Sequence, residues 1–591
     1  MTINQLQKQS SANIQDKASL IWEIATHLYG EYKPHEYGRV ILPMTVIKRF
    51  DDALKKTKAD VLAKTKELDE KGVVGIARDA ILKVTSKRDF YNTSRFDFNA
   101  LLADPENITA NFTEYLQKFS DNVKDIVSYF EFDKEIAKMS QNNLLYTIIT
   151  EFNSKKADLS PELVSTQDMG YVFEELVRRF SESYDEQAGA HFTARDIIYL
   201  MTELLIAPER DEIATKGCHK TAYDMTMGTS QMLACLDEKL LEINKNSDLK
   251  CYGQEFNPET FAIAKADMLI KGKNADNMKF GDTLSNDQFS GSSFDYIISN
   301  PPFGIDWKKE KEAVEAEAKL GYEGRFGPGL PSISDGQMLF LLNGIAKLKE
   351  NGRMAIIQNG SSLFNGDAGS GPSEIRRYII ENDMLEAIIQ LPNDLFYNTG
   401  IATYIWVITK SKAPERVGKI QLIDASKCFE KRRKNIGNKR VDLSNESIDL
   451  IIHAYTSFSD CEFEGNGDMH VETKVFDNDY FGYMKVVIET AMDNGNGEPE
   501  LKKGKPVAQK GKTDFETIPL SEDVQEFFQK NVKPFNSLAF MDRTKDKIGY
   551  EIPFSRIFYK FVEPRQSKDI FSEFKALSEQ EKELMKRILG E

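Results

Sequence analysis

From the amino terminus to about residue 165, apolar residues recur every three or four positions. Ile21-Trp22-Ile24-Ala25-Leu28 and Val40-Ile41-Leu42-Met44-Val46-Ile47-Phe50 show the pattern, which predicts helices with one buried face. Strand signals are weak here, and the charged stretch from Lys55 to Lys71 reads as a solvated helix face. The pattern then changes. Short apolar runs rich in β-branched and aromatic residues, near 221–225, 249–255, 277–281, 293–298, 352–358, 385–391 and 402–409, alternate with helical stretches. That alternation predicts βα units on a mostly parallel sheet. One helix has clear start signals, Asn257 as N-cap and Pro258 at the first helical position, directly after a strand ending in Glu255. Beyond about 480 the run Asn494-Gly495-Asn496-Gly497-Glu498-Pro499 and the run Lys502-Lys503-Gly504-Lys505-Pro506 predict a mobile linker or hairpin tip, followed by a smaller unit. The expected organisation is a helical domain over 1–165, an α/β domain over 166–480, and an extension over 481–591.

Composition narrows the class. The chain has 591 residues, 41% hydrophobic and 29% charged, and no apolar run reaches membrane-spanning length. The first residues lack the layout of a secretory signal, so the cytoplasm is the expected compartment. Five scattered cysteines give neither a disulfide framework nor a zinc pair, and no histidines sit at i, i+4 with an acid between, so no metal is expected. The net charge of −16 argues against binding nucleic acid by bulk electrostatics. A polyanion must be met locally or through another subunit. The densest basic run is Lys431-Arg432-Arg433-Lys434 with Lys439-Arg440, readable as phosphate contacts, a subunit contact or a solvated face. Gly511-Lys512-Thr513 is not a phosphate loop, because Pro506 stands where the first glycine is required.

The sharpest chemical signal is Asn300-Pro301-Pro302-Phe303, directly after the predicted strand Phe294 to Ser299. Two prolines stop the ladder and leave a rigid loop at the strand's carboxyl end, where open α/β sheets hold ligands. An exocyclic amine on a base is a poor nucleophile because its lone pair is delocalised into the ring. The Asn300 side-chain oxygen and the Pro301 carbonyl can accept its protons and localise that lone pair, while Phe303 stacks on the planar base. Earlier strand ends offer a donor site. Asp224, Thr226, Gly228, Thr229, Ser230 and Gln231 combine an acid, a tight turn and a helix start. Glu255 stands ready for ribose hydroxyls, and Asp282 for the amino group of an adenine. Three acids at three successive strand ends are hard to explain as packing.

Together these residues resemble the amino-methyltransferases of DNA, specifically the modification (M, HsdM-type) subunit of type I restriction–modification systems. The segment Gly189-Ala190-His191-Phe192-Thr193-Ala194-Arg195, the later Ser334-Asp335-Gly336-Gln337 and Asn359-Gly360-Ser361-Ser362-Leu363-Phe364, and Leu391-Pro392-Asn393-Asp394-Leu395-Phe396-Tyr397 carry the resemblance further. The resemblance implies a Rossmann-like class I S-adenosylmethionine-dependent methyltransferase sheet preceded by an all-helical domain for DNA or subunit interaction. It implies adenine-N6 methylation of double-stranded DNA, protecting host DNA. Phe192 and Thr193 become cofactor contacts, and Asn300 serves both cofactor and target. The adjacent rings of Phe396-Tyr397 read either as the second face of a base pocket, by stacking, or as buried core packing. The implied partners are a specificity (S) subunit, a second copy of the chain in a complex of two modification subunits with one specificity subunit, and a nuclease–translocase (R) subunit. Methylation of cytosine N4, or a DNA-clamping scaffold without catalysis, are the alternatives. The scaffold alternative rests on one departure: the family has Gly-Thr-Gly-Gly or a near relative where this chain has Gly228-Thr229-Ser230-Gln231. Serine is tolerated there only if the position does not need positive φ.

Overall fold

The computed structural model describes Ser19, residues 21–182, 193–397, 399–561 and 564–589. Helices fill the described residues from 21 to 182. The helix Gly38–Leu54 lies at its centre with fourteen residues buried, including Lys48 and Arg49. These two charges are structural: Lys48 pairs with Asp52 at 2.6 Å, Asp52 accepts the Leu159 N–H, and Arg49 donates to the Leu159 and Val164 carbonyls. They bind the 159–164 segment to the helix.

The α/β region is built on ten strands: β1 (His219–Asp224), β2 (Asp248–Glu255), β3 (Met278–Phe280), β4 (Phe294–Ser299), β5 (Leu348–Asn359), β6 (Leu385–Gln390), β7 (Thr403–Thr409), β8 (Lys419–Asp424), β11 (Cys461–Glu464) and β12 (His470–Asp477), with β9 (Glu430–Ile436) and β10 (Lys439–Asp442) forming a separate ribbon. Their order across the sheet is β11-β12-β8-β6-β7-β5-β4-β1-β2-β3. Strands β3, β2, β1, β4 and β5 run parallel, and β7 is antiparallel to both neighbours β5 and β6. The central strands β5, β6 and β7 are almost wholly buried, as a sheet covered on both faces requires. One continuous apolar cluster runs from Ile21 through the helical region and one face of the sheet to Val471, so the two regions share a core.

A buried polar cluster joins β6 to β5 and to the helix Asn445–Ser457. Glu386, 2% exposed, pairs with Arg353 at 2.9 Å, stands 3.4 Å from Arg416, and accepts the Tyr455 hydroxyl at 2.9 Å.

The segment expected to be a linker or hairpin tip connects two antiparallel strands of a second sheet. There β13 (Gly482–Ala491) pairs with β16 (Ala508–Pro519), β17 (Ala539–Met541) and β18 (Lys547–Tyr550), while β14 (Leu501–Lys502) and β15 (Lys505–Pro506) close the tip. Pro553–Glu591 forms a separate unit containing the helix Ser567–Leu589, no residue of which is buried.

Candidate active site

Strand order reverses between β1 and β4, since β1 leads to β2 on one side and β4 on the other. At such a switch point the carboxyl ends of adjacent parallel strands leave a crevice for a ligand. Asp224 ends β1, Glu255 ends β2, Asp282 follows β3, and Asn300 follows β4, so the four expected groups lie along one edge of the sheet.

Asp224 is 1% exposed, and burial pushes its carboxyl up to about 7. It accepts the Ser299 hydroxyl at 2.7 Å and the Thr226 N–H at 3.1 Å, while Thr226 and Ser299 share a hydroxyl contact of 2.9 Å. The ends of β1 and β4 are thereby latched across the switch point. Glu255 is also raised, first by burial, and accepts N–H groups from Gly228 at 2.8 Å, Asn257 at 2.8 Å and Phe256 at 3.1 Å. It ties the loop after β1 to β2. No lysine or arginine among the described residues pairs with either carboxylate, so two buried acids face the crevice without a protein cation. Asp282 is half-buried, and its Oδ1 accepts the Leu284 and Ser285 N–H groups and the Ser285 hydroxyl.

The loop after β1 turns tightly. Gly228 has φ +51°, and Ser230 has φ +68° at the start of the helix Gln231–Ile243, its N–H donating to the Met227 carbonyl at 2.7 Å. This corrects the condition set above: the position does adopt the left-handed conformation, and serine occupies it nonetheless. The cause is the closing Met227–Ser230 turn, after which the chain must swing into the helix. Neighbouring glycines make room for the bulkier side chains of Gln231 and Met227. A Cβ on Gly170 would meet the Gln231 amide at 2.7 Å, and one on Gly253 would meet the Met227 sulfur at 2.2 Å. Gln231 is 8% exposed and accepts from Arg195 at 3.0 Å, so its side chain is tucked in behind the loop. Thr229 is 5% exposed.

Asn300 is 7% exposed. Its Nδ2 donates to the Thr193 hydroxyl at 2.8 Å, and its Oδ1 is buried with no hydrogen-bond partner among the described residues. An unpaired buried amide oxygen costs free energy unless something outside the chain uses it. Thr193 therefore fixes which end of the amide is presented. Pro301 is buried, Pro302 and Phe303 are half-buried, and Phe303 packs against the main core. Phe192 and His191 lie outside the described residues.

Phe396 is 1% exposed within the core, the packing reading of the two, whereas Tyr397 beside it is half-buried. The glycine-rich stretch Gly366–Gly371 packs closely. A Cβ at Gly371 would stand 1.8 Å from the Leu330 carbonyl oxygen, and the helix Gly371–Glu381 begins there with Pro372 in its first turn.

Two features escaped the sequence reading. Ser299 latches Asp224, and the only sequence signal was its place beside Asn300. A polar knot at the end of β5 has Gln337 donating to Asp335, Asn359 and Ser361, with the Asn359 N–H returning to Gln337 at 3.0 Å. These residues lay inside motifs quoted above, but nothing in their spacing showed that they converge.

Strand order, antiparallel β7, acids at three strand ends and an asparagine after the fourth define a class I S-adenosylmethionine-dependent methyltransferase fold. The chain belongs to the N-6 DNA methylase family, whose model matches residues 164–492, and the HsdM N-terminal domain matches residues 17–152. It is 25% identical over 471 residues to the type I restriction enzyme MjaIX methylase subunit of Methanocaldococcus jannaschii, covering 75% of this chain and 77% of that one. It is 23% identical to the MpnII methylase subunit of Mycoplasma pneumoniae, covering 74% and 83%. Among solved structures, the type I restriction-modification methyltransferase subunit from Streptococcus thermophilus aligns with a TM-score of 0.61 at 22% identity, covering 79% of this chain and 97% of that one. No helix among the described residues is long and apolar enough to cross a membrane.

Proposed function

We propose that this chain is the methyltransferase subunit of a type I restriction–modification system and methylates adenine N6 in double-stranded DNA. The observation that carries this reading is Asn300 Oδ1, buried, unpaired and oriented by Thr193 at the carboxyl end of β4. The oxygen accepts a proton of the target amine, and the carbonyl of Pro301 takes the other. With both protons held, the nitrogen lone pair is released from the ring and positive charge developing on the nitrogen meets a preorganised acceptor. Phe303 and Tyr397 contact the base once it has left the duplex.

S-adenosylmethionine supplies an electrophilic methyl group on a sulfonium. The crevice suits a cationic nucleoside, because Asp224 and Glu255 are buried acids without a protein cation. Asp224, Thr226, Gly228, Thr229, Ser230 and Gln231, with Thr193, Glu255, Asp282 and Asn300, would hold it. Alignment of the reacting groups provides much of the acceleration, and no group in the site is required as a strong base. Residues 1–165 serve DNA or subunit contact, 166–480 catalysis, and 481–591 subunit docking. The assembly contains a specificity subunit, a second copy of this chain and a nuclease–translocase, and works in the cytoplasm.

The test is transfer of labelled methyl groups from S-adenosylmethionine to unmethylated DNA by the chain with its co-expressed subunits, followed by digestion to nucleosides. N6-methyladenine is expected. N4-methylcytosine, or no product from a folded complex that binds DNA, would refute the assignment.

A further inference from the structure

The ribbon β9–β10 takes no part in the site described above, yet it is built into that site's frame. The Asn438 N–H donates to the Tyr397 carbonyl at 2.7 Å and the Arg440 N–H to the Asp394 carbonyl at 2.8 Å. Lys439, 1% exposed, donates to the Leu395 carbonyl at 3.0 Å and pairs with Asp196 at 2.9 Å. Asp196 also accepts the Leu443 N–H at 2.9 Å, and it lies in the first turn of the helix Arg195–Ile206, three residues after the Thr193 that orients Asn300. The ribbon is thus fastened at its base to the Tyr397 loop and to the helix that follows Thr193.

Its charge is the opposite of the chain's. Residues 430–442 carry six basic and two acidic side chains, in a protein whose net charge is −16. Lys439 is used internally and Arg432 pairs with Asp442. Lys431, Arg433, Lys434 and Arg440 are exposed and form no ion pair among the described residues. Four unneutralised cations on a two-stranded ribbon match the spaced negative charge of a nucleic-acid backbone, which a protein contacts to set register.

We propose that β9–β10 is a phosphate-binding arm that grips the DNA backbone beside the target base and sets its position over the Tyr397 loop. The proposal rests on the DNA-methylating reading above. Backbone contacts carry no sequence information, so the arm sets affinity and placement while sequence choice lies elsewhere.

The test uses the full chain in its methylating assembly on duplex DNA, comparing wild type with the quadruple variant Lys431→Gln, Arg433→Gln, Lys434→Gln, Arg440→Gln. Each lost phosphate contact lowers the slope of log affinity against log salt by about 0.9, so four lower it by about 3 to 4. S-adenosylmethionine affinity is expected to hold while KM for DNA rises. A control removes the same charge from the amino-terminal side of the sheet, opposite the site: Lys216→Gln, Lys245→Gln, Lys250→Gln, Lys419→Gln. It should leave the slope unchanged, and an equal fall in both variants would reduce the arm to general charge and overturn the proposal. An unchanged slope in the ribbon variant overturns it too, and loss of a co-purifying subunit with that unchanged slope would make the ribbon a protein contact. If wild type itself neither binds nor methylates DNA, the underlying reading fails instead, an outcome distinct from all of these.

Discussion

Thr193→Val changes one thing near the reacting centre: it replaces the hydroxyl that receives the Asn300 Nδ2 proton at 2.8 Å with a methyl of similar size. Asn300 is 7% exposed, so the orphaned amine cannot turn to water without the whole amide rotating. A lost hydrogen bond of this kind is worth about 0.5–1.5 kcal/mol, and a buried donor left unpaired costs about 1–3 kcal/mol. Rotation relieves that cost by pointing Nδ2 where the target amine needs an acceptor. The variant should therefore slow methyl transfer about 5- to 150-fold, as 1–3 kcal/mol converts at about 1.36 kcal/mol per factor of ten. Thr193→Ser keeps the acceptor and should recover most of the rate. Single-turnover transfer to saturating DNA reads the step, and the melting transition shows whether the fold is intact. A Thr193→Val enzyme at the wild-type rate, or Thr193→Ser as slow as Thr193→Val, would refute the positioning role.

Three further outcomes follow from the structure. Ser230→Gly removes a left-handed serine, which costs about 1–2 kcal/mol, and adds a glycine entropy cost of about 0.5–1 kcal/mol; denaturant unfolding should show unchanged or slightly raised stability, and a clear loss would mean that the hydroxyl, not the turn, is what the position needs. Asp224 sits at about 7 in the folded chain against about 3.9 unfolded, so its protonated form is the one folding favours. Its contribution to stability is full below about pH 4 and fades as pH rises through about 7, on the order of 4 kcal/mol in all; Asp224→Asn should flatten that decline in ligand-free protein, and parallel wild-type and variant profiles from about pH 4 to 8 would contradict it. Glu386→Gln withdraws the shared carboxylate from between Arg353 and Arg416 and should cost about 3–5 kcal/mol in unfolding experiments, a variant as stable as wild type showing that the cluster is dispensable.

Much of this architecture is legible in the chain because its signals are local. The seven strands at the heart of the sheet are short runs rich in β-branched and aromatic residues, bounded by turn residues, and Asn257 with Pro258 marked a helix that the structure caps by bonds from Glu259 and Thr260 to the Asn257 side chain. The strands β8 to β13 gave little sign, since β9 and β11 are short, charged and exposed, and charge looks the same on a ribbon as on a loop. The acids were visible as strand-end residues, but the Ser299 latch depends on β1 and β4 becoming neighbours across a crossover that sequence distance hides. Phe396 and Tyr397 are adjacent aromatics with equal stacking potential in sequence, and only burial separates them. Positive φ at Ser230 arises from the turn geometry, which a serine does not announce.

The central claim is that the buried Asn300 oxygen accepts the target amine's proton, and Asn300→Ala tests it most directly. Methyl transfer and S-adenosylmethionine binding should be measured on the same preparation of the assembled enzyme. Loss of one preorganised hydrogen-bonding group at a reacting centre is worth about 2.7–4 kcal/mol, so transfer should fall about 100- to 1,000-fold while DNA binding persists. An Asn300→Ala enzyme that still makes N6-methyladenine within a few-fold of the wild-type rate would contradict the account.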